Sequence, residues 1–324
     1  MKLTKNFALL IATVLGLHSA VFAQSVADFP NKPIKIIVSF TAGGTTDILA
    51  REVGNQMSIR WKVPVVVENK PGAAGNLGTE IVGRAAPDGY TLLASSIGPI
   101  SINPSLFGNL AVNPQKALQP VALLGDVPNI LVVPASSGIK NWKEFTAYLK
   151  ANPNAINYGS TGIGTTAHLI SYLFAQKLNV DALHIPYKGA EATRDLVAGR
   201  LQYMFATAPS VVPLIKAGQL NAIAVSTKKR ISALPDLPTL NELGVDIATG
   251  AWFGFFAPEG TNPAIVQKLN ETTLSILEEP AIKQKLLGLG ADPIPMSVQE
   301  FTRFIRNDFA LWAPIVKASG AKPE

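Results

Sequence analysis

The chain has 324 residues, no cysteine and 15% charged residues, against roughly 25% in an average soluble protein. Without cysteine it builds no zinc ribbon or disulfide framework, and an iron–sulfur cluster lacks its usual ligands; with 48% hydrophobic residues it is not a disordered chain. The length predicts two lobes of about 150 residues each, and 26 glycines with 24 prolines predict frequent short loops rather than a helical bundle.

The formal charge of +6 is partly a property of the N-terminus. Lys2 and Lys5 precede an uncharged run from Phe7 to Leu17, and Val21-Phe22-Ala23 supplies the small residues of a signal-peptidase site. The run is 11 residues long, short of the roughly 20 that span a bilayer. Residues 1–23 are therefore read as a cleavable export signal cut after Ala23, leaving a periplasmic protein. Without its two lysines, 26 basic residues face 22 acidic ones. The basic cluster Lys228-Lys229-Arg230 lacks interleaved aromatics, so a nucleic-acid partner is not expected. Later apolar runs are all broken by Pro, Gly or a charge within about 10 residues, which predicts no stable membrane insertion.

Past the signal, short β-rich runs alternate with amphipathic helical runs, the pattern of an α/β protein with mostly parallel sheets. Strands are predicted at Ile34–Phe40, Val63–Val67 and Tyr90–Ala94, with helices from Asp47 to about Met57 and from Gly75 to near Arg84. The apolar stretch from Val121 to Val133 reads as an extended segment crossing to a second lobe. There Asn141 and Glu144 form an N-cap and its glutamate, opening a helix to about Ala151. Strands at Ile156–Ser160, Ala182–Tyr187 and Leu201–Phe205 precede helices at Ala167–Leu178, Ala192–Ala198 and Val211–Ala217, and Leu220–Ser226 is the lobe's last strand. Trp252–Ala257 crosses back. Two long helical segments, about Pro263–Gly288 and Val298–Ala318, should pack on the first lobe. The expected division is residues 24–123 with 254–324 for lobe 1 and 124–253 for lobe 2, facing each other across a cleft.

In such sheets ligands sit at the carboxyl ends of strands, where two loops concentrate the chemistry. Thr41-Ala42-Gly43-Gly44-Thr45-Thr46-Asp47 and Thr161-Gly162-Ile163-Gly164-Thr165-Thr166 each join a strand to a helix start. Glycine lets the backbone approach a ligand closely, and a helix N-terminus presents unpaired N–H groups with partial positive charge. Neither loop contains Lys or Arg, which suits a reversibly held carboxylate better than a triphosphate. The competing reading is two ordinary strand-to-helix turns with capping threonines.

Enzyme signatures are sparse. Gly162-x-Gly164-x-x-Ala167 loosely matches a dinucleotide fingerprint, but the next strand, Leu183–Lys188, ends without an acidic residue. Neither a Walker lysine nor a Gly-x-Ser-x-Gly elbow is present. Past the signal the histidines are His168 and His184, without metal-ligand spacing. Both read as hydrogen-bonded packing residues, although His168, one turn into its helix, is also placed to line the cleft. Trp252 and Phe253 read as an aromatic wall or as core and hinge packing.

The ordered runs Phe40-x-x-Gly43-Gly44-x-x-Asp47, Glu68-Asn69-Lys70-Pro71-Gly72-Ala73-x-Gly75, Pro87-Asp88-Gly89-Tyr90-Thr91 and Tyr158-Gly159-Ser160-x-Gly162-x-Gly164-Thr165-x-x-His168 together resemble the Bug (TctC-like) family. These are periplasmic substrate-binding proteins, some serving tripartite tricarboxylate transporters. The likeness continues through Pro186-Tyr187-Lys188-Gly189, Leu234–Thr239 and Trp252-x-Gly254-x-x-Ala257-Pro258, and so covers essentially the whole mature chain. It implies a two-lobed Venus-flytrap fold of the periplasmic-binding-protein type II class, binding a small carboxylate through backbone amides for membrane permease subunits. Carried over, the donors are Gly43, Gly44 and Thr45 on one lobe and Gly162, Gly164, Thr165 and Thr166 on the other. Phe40, Ser160 and His168 belong to the same motifs, and Lys188 with Gly189 begins a further cleft loop. Asp47 is expected to order its loop as a helix-end charge.

Many relatives carry an aspartate after the strand phenylalanine, where this chain has Ala206. A cleft without that charge suits a plain mono- or dicarboxylate that needs no ammonium group. The protein is thus expected to be a monomeric, non-enzymatic receptor with no cofactor or metal. The alternatives are a ligand-binding subunit signalling to a membrane histidine kinase, and a periplasmic enzyme acting on a small acid with His168 as its base.

Overall fold

The computed structural model describes residues 28–153 and 155–319. The signal peptide and its cleavage after Ala23 lie outside the described residues.

Among the described residues, nine strands form one continuous, mixed network. The first part has the order β2-β1-β3-β9-β4, with β1 (Ile34–Val38) parallel to both β2 (Val65–Asn69) and β3 (Thr91–Ser96). Beyond β3, β9 (Gly250–Pro258) runs antiparallel and pairs in turn with β4 (Leu118–Pro134). The second part is built on the far half of β4, flanked by β8 (Leu220–Val225) and β7 (Tyr203–Thr207) and continued by β5 (Ile156–Ser160) and β6 (Ala182–Pro186). Four pairings are parallel and four antiparallel, not mostly parallel as the alternating pattern suggested. The two crossing strands cause the difference: β4 and β9 run against the strands they join.

β4 changes partners along its length. From Leu118 to Pro128 it pairs with β9, and from Asn129 to Pro134 with β7 and β8. Almost every residue of this strand is buried, which explains why it reads as one apolar run.

Helices close both faces. α1 (Thr45–Trp61) and α2 (Asn76–Gly83) follow β1 and β2. α3 (Trp142–Ala151) begins at Asn141, whose side chain accepts from the Glu144 amide while the Glu144 carboxylate accepts from the Lys140 amide, a reciprocal cap. α4 (Thr166–Leu178), α5 (Glu191–Val197) and α6 (Ala208–Lys216) serve the second sheet. The segment expected as one helix over 263–288 is two, α7 (Pro263–Leu277) and α8 (Pro280–Gly288). Pro280 opens the second, because its missing N–H and fixed φ suit a first helical position and not an interior one. α9 (Val298–Ser319) returns to the first sheet, where the Phe301 ring packs over Gly254 so closely that a Cβ there would lie 2.6 Å from it.

Strand periodicity sorts the second sheet's side chains. Leu131, Val133, Tyr203 and Phe205 join Phe145 and Phe174 in one core, while Ile130, Val132, Met204 and Ala206 face the other way into the larger core shared with the first sheet.

Candidate functional site

The loops after β1 and β5 meet across the molecule. Between them lies a cavity of about 50 Å3 whose walls include Gly44, Thr45 and Thr46 from the start of α1, Thr161 from just past the end of β5, and Thr165 and Thr166 from the start of α4. Phe40, Ile97, Ala251 and Phe253 form its apolar side, and Ser96, Gly189, Ala190 and Thr207 complete it. No wall residue carries a formal charge. Four larger cavities, among them one of about 290 Å3 beneath α9 and one of about 640 Å3 at the start of α3, share no residue with these loops.

Hydrogen bonds draw the two sides together. The hydroxyl oxygens of Thr45 and Thr207 are 2.7 Å apart, and Thr41 Oγ1 accepts from the Ala190 amide at 2.7 Å. Gly189 makes that second contact feasible, since any Cβ there would stand 2.4 Å from Thr41 Oγ1.

The two helix starts differ. At α4 the side chain of Thr165 caps the helix, its Oγ1 accepting from the His168 amide at 3.4 Å. At α1 the cap residue is Gly44, with no side-chain acceptor, so the first-turn amides keep their attraction for an exogenous anion.

Asp47 sits one turn inside α1 and is buried. Its carboxylate accepts from the Gly43 amide, Arg51 Nε and Asn69 Nδ2, each at 2.9 Å. Burial alone would raise its pKa, but the hydrogen bonds from Arg51, Gly43 and Asn69 together hold it below the ordinary carboxylate value. Asn69 also donates to the Phe40 carbonyl. Asp47 therefore braces the loop and does not line the cavity.

Several amides expected to face a ligand are engaged within their own loops. Gly43 donates to Asp47, Gly162 to Ser160 Oγ, Thr165 to the Gly162 carbonyl and Gly164 to His168 Nδ1. Of the predicted site residues, Phe40, Gly44, Thr45, Thr165 and Thr166 are in the wall; Gly43, Asp47, Ser160, Gly162, Gly164 and His168 stand behind it as supports. Lys188 is exposed and outside the wall, which its neighbour Gly189 supplies instead. Ala206 is buried in the larger core, because alternation along β7 turns it away from the face that presents Thr207. Phe253 is a wall residue, whereas Trp252 packs on Phe301 and Phe304 and donates to Asp308.

His168 is poorly suited to act as a general base. Burial pushes its pKa down to about 4, and its Nδ1 is already occupied. Among the described residues no group of three or more His, Cys, Asp or Glu is placed to hold a metal, and no helix is long and apolar enough to cross a membrane.

Sequence reasoning missed Ser96, Ile97, Thr161, Ala190, Thr207 and Ala251 as wall residues. Thr161 and Thr207 carried a signal, each being a hydroxyl at the carboxyl end of a strand; the others carried none.

Two sheets joined by crossing strands, with paired helix starts around a cleft, define a two-lobed solute-binding protein. Residues 49–321 match a family model described as the tripartite tricarboxylate transporter family receptor, TctC, and the chain belongs to that family. It is similar to the periplasmic binding protein BugD, with 34% identity, TM-score 0.86, and 91% of this chain and 100% of that one covered. A structure of Rpa4515 from R. palustris with adipate shares 33% identity at TM-score 0.88, over 92% of this chain and 100% of the other. MatC from Rhodopseudomonas palustris, with bound malate, shares 31% at TM-score 0.82, over 89% and 100%.

Proposed function

We propose that this protein is a periplasmic receptor that closes around a small carboxylate between its two lobes and delivers it to a tripartite tricarboxylate-type permease. The observation that carries this reading is the wall itself, with two helix N-termini and six threonine hydroxyls around one cavity and no charged side chain. The first-turn amides at Gly44–Thr46 and the hydroxyls of Thr45 and Thr166 are the carboxylate donors, the Thr165 hydroxyl being already given to the Gly162 carbonyl at 2.7 Å; Phe40, Ile97 and Phe253 take the hydrocarbon part. With no acidic wall residue, an ammonium group gains no partner and pays its desolvation, so a plain mono- or dicarboxylate is preferred to an amino acid. The adipate and malate held by the two R. palustris relatives are acids of this kind.

The cavity is small, about 50 Å3, and the hydrogen bonds between Thr45 and Thr207 and between Thr41 and Ala190 cross it. Admitting a dicarboxylate therefore requires the lobes to part at the Thr45–Thr207 and Thr41–Ala190 contacts. The lobes divide where β4 changes partners at Pro128–Asn129 and where the chain returns at Gly250, rather than within the paired stretches at 123–124 and 253–254. Closure makes contacts absent from the open form, which is what lets a ligand shift the balance. Nothing in this arrangement needs a second copy of the chain.

The test is a thermal-shift screen of the protein lacking residues 1–23 against mono-, di- and tricarboxylates and amino acids, followed by titration calorimetry. A concentration-dependent rise in melting temperature with a plain carboxylate is expected. A flat response across the panel, or tighter binding of an amino acid than of its deaminated analogue, would overturn the reading.

A further inference from the structure

We propose that His168 and His184 are positioning residues that set the shape of the second binding loop, His168 by keeping Nδ1 free of a proton to accept the Gly164 amide. The inference rests on the carboxylate-receptor reading and assigns these side chains a role behind the wall rather than in it.

The loop is held at both ends. At its start, Ser160 Oγ donates to the Gly162 carbonyl at 3.1 Å, accepts from the Gly162 amide at 3.2 Å and lies 2.7 Å from His184 Nε2. At its end, the Gly164 amide donates to His168 Nδ1 at 3.2 Å. The two imidazoles stack on one another, centroids 4.0 Å apart and planes 13° from parallel, and the stack continues through Tyr158 and Tyr203. Neither imidazole is part of the cavity wall.

Gly162 and Gly164 adopt φ values of 142° and 77°, and glycines of this kind leave a loop many alternatives. The imidazoles select one of them, in which Thr161 and Thr165 stand in the wall. Because the Gly164 amide is a donor, His168 accepts through a bare Nδ1 and carries its proton on Nε2. Removing that acceptor leaves a buried N–H unpaired, which costs more than the bond's net worth. Simple packing would tolerate any side chain of similar size; positioning demands an acceptor at one atom.

Two near-isosteric variants separate these cases. His168→Asn puts a carbonyl oxygen on Cγ, where Nδ1 is now bonded; His168→Gln moves it one bond further out. For the tightest plain carboxylate of the screen, Kd should stay within about twofold in His168→Asn and rise about tenfold in His168→Gln and His168→Leu. In the ligand-free protein, hydrogen exchange at the Gly164 amide should be slow in wild type and His168→Asn, and fast in His168→Gln. The nitrogen NMR spectrum of the native protein should show His168 protonated at Nε2 at neutral pH. A native Nδ1–H tautomer, or wild-type exchange at Gly164 in His168→Gln, would overturn the proposal. If wild type binds no acid at all, the receptor reading fails, while the exchange and tautomer measurements still decide this one.

Discussion

The hydroxyls of Thr45 and Thr207, at the start of α1 and the end of β7, meet 2.7 Å apart across the cavity between the two sheets. A bond across an interface of this kind is worth about 1 kcal/mol net. Thr45→Val and Thr207→Val should therefore be non-additive: a double-mutant cycle in urea unfolding should return a coupling of about 1 kcal/mol. Additive losses would mean that the hydroxyls do not hold the lobes together.

Asp47 offers a test of a support outside the cavity wall. Asp47→Asn keeps the volume but replaces the charged acceptor of three hydrogen bonds, each worth more than a neutral one. Carboxylate affinity should fall about tenfold and stability by about 2 kcal/mol, measured by calorimetry and denaturant melts. Unchanged affinity would show that the loop keeps its shape without this brace.

Ala73 and Ala74 occupy the left-handed region, with φ of 46° and 55°. For an L-residue with a Cβ this costs roughly 1–2 kcal/mol, partly offset by the greater flexibility that glycine would bring to the unfolded chain. Ala74→Gly should therefore raise stability by about 0.5–1 kcal/mol in urea unfolding. A loss of stability would mean that the Ala74 methyl makes contacts worth more than the backbone strain.

At Gly254 a Cβ would meet the Phe301 ring at 2.6 Å and the Ala122 carbonyl at 3.0 Å. Gly254→Ala should cost about 1–3 kcal/mol by overpacking, and Phe301→Leu in the same chain should recover part of that loss. Failure of this rescue in thermal melts would place the obstruction at the Ala122 backbone instead.

The histidine pair predicts a pH dependence. Burial pushes His168 from 6.5 down to about 4, and burial with the neighbouring His168 pushes His184 down to about 3. The titratable side chains stacked behind them are Tyr158, which burial raises to about 12, and Tyr203, which burial also raises; Tyr172 lies near Tyr158. No carboxylate contributes to either imidazole's shift. As pH falls below 6.5 the unfolded chain takes up these protons before the folded one does, so stability drops until the folded values are passed. Melting temperature should thus be level above about pH 7 and decline between 6.5 and 4.5, and His168→Asn should flatten part of that decline. An unchanged slope in the variant would remove His168 as its source.

The crossing strands were legible because burial on every side leaves a continuous apolar run, as in the stretch from Leu118 to Pro134. The direction of pairing was not, since residue order fixes a strand's periodicity but not the neighbour it meets. At the site, the Gly/Thr loops announced Gly44, Thr45, Thr165 and Thr166. Which amides remain for a ligand depends on partners distant in sequence: Asn69 reaches Asp47 and Phe40, and His184 reaches Ser160. Ala206 was misplaced toward the cleft because the alternation of β7 is set by its pairing with β4, where Ala206 faces Ile130 and Thr207 faces Asn129.

The continuity of β4 has a mechanical consequence. Because one unbroken strand serves both sheets, rotation of one against the other cannot be taken up by a slack linker and must appear as torsion within β4 and the chain beside it. The register slips between Pro120 and Ala122, Leu123 and Gly125, and Leu131 and Val132 are where the ladder is already irregular and yields most easily. A strand so continuous resists displacement in either direction, so a closing movement of the kind proposed above would have to bend β4 elastically rather than swing on a free hinge.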